Sequence, residues 1–276
     1  MVGGVELRDA GTLLATAPGR TAVIALCQPD DRRFVLEAAD TALASLRAAG
    51  MAVDPVSVRE RQADESEWRD VWKQFFRATR VSPRFTVRPS WDPGAAPPGE
   101  FIIDLDPGRA FGTGAHPSTR LVIGLAETVK ETRDKLRTFL DLGCGSGILS
   151  TAAARLWPGA AGLAIDNDSE ATDCSGENFA RNAVTSVRLL TGTLDNTVES
   201  FDLILANIQA DVLCALAPTM PKHLAAGGYL ILSGILREQT EDVVAAYASV
   251  GLRLLAQPDE GEWSGLLLGR NDSAAS

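Results

Sequence analysis

The pattern that most narrows the fold lies between residues 137 and 249, where short apolar runs alternate with helical stretches. Strands read at 137–142, 162–165, 187–190, 201–206 and 229–232, with helical spacing at 148–156, 169–182, 210–224 and 238–249. Strands this apolar have no polar face to offer water, so they belong in a parallel sheet covered by helices on both sides. Two more strands, near 252–255 and 263–268, are joined by a turn at 258–261 and read as a closing hairpin, which makes the sheet mixed. The expected fold class is α/β, doubly wound.

The first sixty residues read differently. Residues 21–28 (TAVIALCQ) form a β-branched strand closed by Pro29-Asp30-Asp31. Phe34, Ala38, Ala42, Leu43 and Leu46 then recur at helical spacing up to Gly50, and 53–58 reads as a return strand. This predicts a small α+β domain over 1–60. A linker helix is expected over 61–80, where Trp68, Val71, Trp72 and Phe75 fall at i, i+3, i+4 and i+7. Such a stripe packs between two domains or serves as an aromatic platform for a partner. Strands at 84–88 and 101–105 flank a loop rich in proline and glycine. The main domain is expected over 81–270, with a disordered tail at 271–276.

Composition bounds the function classes. A formal net charge of −10 opposes direct nucleic-acid binding, which needs a basic surface, and favours a basic partner or a small molecule. No apolar run reaches the ~18 residues that a membrane span needs, and the N-terminus lacks the pattern of a signal peptide. Cys27, Cys144, Cys174 and Cys214 form no CxxC pair, and His116 and His223 add no ligand set, so neither a metal site nor a disulfide framework is expected. These features predict a reduced, cytoplasmic protein.

The strongest motif is Asp141-Leu142-Gly143-Cys144-Gly145-Ser146-Gly147, between a strand and a helix. Glycines at alternate positions let the backbone turn sharply and approach a ligand without Cβ clashes. The carboxyl edge of the sheet is where doubly wound folds bind theirs. Asp166 closes the next strand, where a carboxylate can accept both ribose hydroxyls of a nucleoside. A P-loop would need G-x-x-x-x-G-K-[ST], and a dinucleotide turn G-x-G-x-x-G. The G-x-G-x-G turn here is led by an acid, which suits a ligand carrying an ammonium and a sulfonium. That favours S-adenosylmethionine over NAD.

Asn207 emerges at the end of the fourth strand, beside the expected pocket. Its amide both donates and accepts, so it can hold the cofactor or the nucleophile. Asparagine is also a good helix N-cap, and a helix follows. Upstream, Asp106-Pro107-Gly108-Arg109-Ala110-Phe111-Gly112-Thr113-Gly114-Ala115-His116-Pro117 describes a loop folded over something, with a helix able to start at Pro117. His116 stands there either as a base or, more in keeping with a histidine before proline, as a structural residue.

DPGRAFGTGAHPST, DLGCGSGILS, AIDND, FDLILANI and GGYLILSGIL resemble, in order and spacing, the PrmA family, whose enzymes methylate the eleventh protein of the large ribosomal subunit. The resemblance runs from about residue 68 to 263; residues 1–60 carry no family motif that can be placed. It implies a seven-stranded, Rossmann-like methyltransferase sheet and an N-terminal substrate-recognition domain. It implies cofactor contacts at Thr119, Gly143, Asp166 and Asn207, to which the glycine turn adds Gly145. It further implies methyl transfer from S-adenosylmethionine to an α-amine and to lysine side chains of that ribosomal protein. Asn207 is the one candidate for a catalytic role, no residue stands out as a base, and a monomer is expected. The alternatives are the same fold acting on another peptide or a small molecule, an NAD-dependent oxidoreductase, and a cofactor-binding module without turnover.

Overall fold

A computed structural model of the chain describes residues 2–8, 22–27, 32–50, 77–92, 94, 97–106, 114 and 116–270. The chain divides into two compact units, Met1–Ala63 and Asp64–Ser276.

In the first unit, β1 (Val2–Arg8) pairs antiparallel with β2 (Ala22–Cys27), and α1 (Arg32–Ala48) follows. The β2 strand and the helix match expectation, and Gly50 closes the helix at φ +79°. β1 was not anticipated, because Gly3 and Gly4 interrupt its alternation. Of the expected apolar stripe of α1 only Leu43 is half-buried, beside Val35 and Leu36 from outside it, and Phe34 is 69% exposed. The return strand over 53–58, the Trp68–Phe75 stripe and the tail at 271–276 lie outside the described residues. The end of the expected linker helix is corrected, since Thr79–Arg80 is a strand.

The second unit opens with a small sheet. β3 (Thr79–Arg80) runs antiparallel to β4 (Phe85–Arg88), which runs parallel to β5 (Phe101–Asp104). Its buried Val81, Phe85, Val87 and Ile103 share a core with α2 (Pro117–Thr132) and α3 (Ile148–Leu156). Two polar side chains pin it down. Glu127 of α2 accepts from the Ser82 hydroxyl and the Arg84 amide, and Asn182 bonds both the N–H and the C=O of Asp104.

The main sheet is doubly wound, as predicted. Its strands are β6 (Thr138–Leu142), β7 (Ala161–Asp166), β8 (Val187–Thr191), β9 (Phe201–Asn207), β10 (Leu224–Leu236), β11 (Leu252–Ala256), β12 (Asp259–Glu260) and β13 (Trp263–Arg270). The spatial order is β11-β13-β10-β9-β6-β7-β8, seven strands, with the two-residue β12 folded onto β13 as an eighth. β6 to β10 are parallel neighbours, and β13 runs antiparallel between β10 and β11. Alternate residues feed opposite layers. Phe139, Ala164, Leu203, Leu205 and Ile231 face the layer of α2, α3 and α4 (Ser169–Arg181). Leu140, Ile165, Ile204, Leu230 and Leu232 face that of α5 (Ala210–Leu216), α6 (Met220–His223) and α7 (Thr240–Ser249).

Candidate active site

The strand order sets the site. β6 lies between β7 and β9, so the chain leaves its carboxyl end in one direction and returns on the other side, opening a crevice there. The glycine-rich turn fills one wall. Gly143, Gly145 and Gly147 all have positive φ, at 73°, 54° and 75°, a region costly for other residues. At Gly143 a Cβ would stand 2.4 Å from the Ile208 side chain, so glycine is also what the packing against the residue after β9 requires. The Gly143 and Cys144 amides donate to the Ile165 carbonyl at 2.8 and 3.0 Å. From α4, Ser175 donates to the Gly145 carbonyl and Asn178 to the Ser146 carbonyl, each at 2.9 Å. Sequence reasoning missed these last two, because nothing in α4 itself marks them as supports of a turn thirty residues away.

Asp141 is fully buried at the end of β6. Its Oδ2 accepts from the Ser150 amide and hydroxyl at 2.8 and 2.7 Å, whereas Oδ1 has no hydrogen-bond partner among the described residues. Burial pushes its carboxyl up to about 6 against the pull of the Ser150 bonds, and the neighbouring charge of Asp166 adds to the rise. A buried acceptor left unpaired is costly, and such an oxygen marks where a donor or cation belongs. The adjacent Cys144 thiol is pushed up to about 12, first by burial, so it is no nucleophile at neutral pH.

Asp166 stands where predicted, at the end of β7, and meets the glycine turn directly. Its Oδ2 accepts the Gly145 amide at 2.9 Å and its Oδ1 the Asp168 amide at 3.1 Å. The carboxylate is therefore a brace for the turn as well as a candidate ribose acceptor.

Thr119 and Asn207, 88 positions apart, also come together: the Asn207 Nδ2 donates to Thr119 Oγ1 at 3.4 Å. Thr119 is buried in the first turn of α2. The helix-cap alternative for Asn207 falls, because Asn207 is the last residue of β9 and the N-cap of α5 is Gln209. His116 takes the structural role: it is the N-cap of α2, its Nδ1 accepts from the Ser118 amide at 3.3 Å, and its ring stands edge-on to Trp263 with centroids 4.8 Å apart. Residues 107–113 of the upstream loop lie outside the described residues. Where that loop returns, Gly114 (φ +82°) fits against Val87 and Ile148 with no room for a Cβ. At the start of α5, an open cavity of ≈250 Å³ is lined by Gln209, Asp211, Gly234, Gln239 and Trp263.

A family profile described as ribosomal protein L11 methyltransferase (PrmA) matches residues 17–271, nearly the whole chain. The chain belongs to this family. A ribosomal protein L11 methyltransferase of Desulforapulum autotrophicum is 37% identical over 253 residues, covering 88% of this chain and 82% of that protein. One from Geobacter sulfurreducens is 43% identical over 203 residues, covering 74% and 66%. The matches to this Geobacter protein and to its Geotalea uraniireducens counterpart thus span just under two thirds of those proteins. The crystal structure of ribosomal protein L11 methylase from Lactobacillus delbrueckii subsp. bulgaricus superposes with a TM-score of 0.65 at 33% identity, covering 71% of this chain and 99% of that one. The PrmA match begins at residue 17, so it takes in most of the N-terminal unit, where no family motif was placed from sequence. No helix among the described residues is long and apolar enough to cross a membrane.

Proposed function

We infer that the chain binds S-adenosylmethionine in the crevice at the ends of β6, β7 and β9 and transfers its methyl group to amino groups, both an α-amine and lysine side chains, of ribosomal protein L11. The observation that carries the reading is the buried Oδ1 of Asp141, unpaired among the described residues, beside a turn whose three glycines all have positive φ. A carboxylate there suits the cofactor's ammonium and opposes the diphosphate of NAD. Gly143 and Gly145 form the backbone wall, Asp166 retains lone pairs for the ribose hydroxyls, and Thr119 with Asn207 lines the opposite side. Bound S-adenosylmethionine would supply a methyl group activated on a sulfonium sulfur for in-line transfer to the amine nitrogen, with S-adenosylhomocysteine as the leaving group and the amine's proton passing to solvent.

The work left to the chain's own residues is approach geometry and control of protonation. Asn207 spends its Nδ2 on Thr119, so Oδ1 remains to accept an N–H from the incoming amine and aim its lone pair. The amine must arrive neutral, which an α-amine near pKa 8 manages more readily than a lysine near 10.4. A basic protein partner agrees with the net charge of −10, and we expect the chain to work in the cytoplasm as a monomer.

Two measurements test this. Calorimetry should detect micromolar binding of S-adenosylmethionine and S-adenosylhomocysteine and none of NAD. Mass spectrometry of recombinant ribosomal protein L11 incubated with enzyme and cofactor should show mass gains in steps of one methyl group. Binding of NAD alone, or an unmodified ribosomal protein beside a methylated small molecule from extract, would overturn the cofactor or the substrate reading respectively.

A further inference from the structure

The first turn of α2 is held from two sides. On the inner side Thr119 meets Asn207 at 3.4 Å, the outer limit of a hydrogen bond. On the outer side the next residue, Arg120, reaches across to Glu260 of β12. Its Nε lies 2.9 and 3.2 Å from the two carboxylate oxygens, and its Nη2 also donates to Oε1. Arginine's planar fork makes such a grip, and lysine's single ammonium does not.

Glu260 is placed by the sheet. It pairs with Trp263 across the β12–β13 hairpin, and Trp263 pairs with Leu236 of β10. Three residues back along β10, Ser233 pairs with Asn207. The hairpin's base is fixed from the β10 side: Asp259 accepts the Ser264 hydroxyl at 2.6 Å and stands 3.4 Å from Arg237, and the Pro258 carbonyl accepts the Gly265 amide. Asn207 and Arg120 are thus linked twice, directly through Thr119 and the long way through β10, β13 and Glu260.

We propose that Arg120 and Glu260 form a positioning clamp that ties the first turn of α2 to the sheet and keeps Thr119 within reach of Asn207. The proposal rests on the function inferred above. Neither side chain touches the reacting atoms; they act through Thr119 and Asn207. The pair is partly exposed, with side chains 27% and 40% accessible, so its weight in overall stability is small. The Thr119–Asn207 contact, by contrast, has no slack, and a shift of a few tenths of an ångström in α2 breaks it.

The test is a charge-reversal cycle on the full chain: Arg120→Glu, Glu260→Arg and the double variant. Turnover on ribosomal protein L11, S-adenosylhomocysteine affinity and melting temperature are measured for each. Each single reversal should lower kcat about three- to tenfold, leave KM for the protein substrate unchanged, and move melting by no more than about 3 °C. The double variant should recover kcat to within about twofold. Single variants with wild-type kcat overturn the clamp, as does a loss that the double variant fails to recover. Should a reversal not fold, Glu260→Gln carries the test, with about a threefold fall in kcat expected and none overturning the idea. A wild-type protein that binds no S-adenosylhomocysteine strikes the cofactor reading and the clamp with it, whereas binding with indifferent variants strikes the clamp alone.

Discussion

Asn207 ends a strand two residues ahead of the helix cap, and that offset leaves its side chain out of helix capping. Asn207→Asp should therefore leave stability within about 0.5 kcal/mol of wild type, as for a substitution outside any cap. Turnover should fall at least about tenfold, ~1.4 kcal/mol of barrier, because a carboxylate beside the amine holds it protonated. Raising the pH should recover part of the loss; a variant with wild-type turnover would remove Asn207 from the mechanism. Asp141 gives a second prediction. Its carboxyl is raised from 3.8 to about 6, so the folded chain binds that proton more tightly than the unfolded one. Its effect on stability is most favourable below pH ~4 and is lost as pH rises through about 6. Cofactor binding runs the other way, since a cation against Oδ1 needs the ionised form. Affinity for S-adenosylhomocysteine should drop about tenfold per unit below pH ~6, and binding near pH 6 should release a proton, seen as buffer-dependent calorimetric heat. Asp141→Asn should flatten that dependence, and a flat wild-type profile would disconnect Asp141 from the ligand. The place of Asp166 at the end of β7 was legible, but its bonds to the Gly145 and Asp168 amides were not, since they depend on how two loops meet. Asp166→Ala should accordingly weaken cofactor binding by roughly 1.5–3 kcal/mol and also lower stability.

At the scale of elements, the alternating strands and helices were readable because each strand carries a mostly apolar run set off from its neighbours by turns and helical spacing. What escaped has physical causes. The helix expected over 210–224 breaks into Ala210–Leu216 and Met220–His223, since Pro218 and Pro221 lack the N–H that would continue it. β10 runs over Leu224–Leu236 rather than 229–232, because Gly227 and Gly228 hide its first half and its pairing with β9 shifts register there. The helix expected from 238 begins at Thr240, after a single 3₁₀ turn. The end of α4 carries a flaw that sequence alone does not show. Ala183, exposed, has φ +52° just beyond the cap, and the Val184 amide reaches back to the Phe179 carbonyl at 2.9 Å. That is the position glycine favours at helix ends. Ala183→Gly should stabilise the chain by about 0.5–1 kcal/mol and raise melting by roughly 1–4 °C. A lower melting temperature would mean that the lost Ala183 methyl, or the freedom gained by the unfolded chain, outweighs the relief at φ.

For the molecule as a whole, the question is which part chooses the substrate and which performs the transfer. Both buried core clusters among the described residues are built from residues between Val81 and Leu268, entirely within the second unit. Every site residue argued above lies there too. The second unit thus holds what an independent fold and a cofactor site need. The first unit offers something else: a helix with no buried residue and Phe34 mostly exposed, on a chain whose net charge of −10 suits a basic partner. Removing residues 1–63 should leave a cooperatively melting protein that binds S-adenosylhomocysteine within about threefold of the full chain, a change under ~1 kcal/mol. Its kcat/KM on ribosomal protein L11 should fall by at least about a hundredfold, ~2.7 kcal/mol, because the amine then reaches the crevice by unaided collision. Methylation of a short lysine peptide, which has nothing for the first unit to hold, should be equally slow with or without it. Full activity of the truncated chain on the ribosomal protein would move recognition into the second unit, to the surface around Asp211 and Trp263.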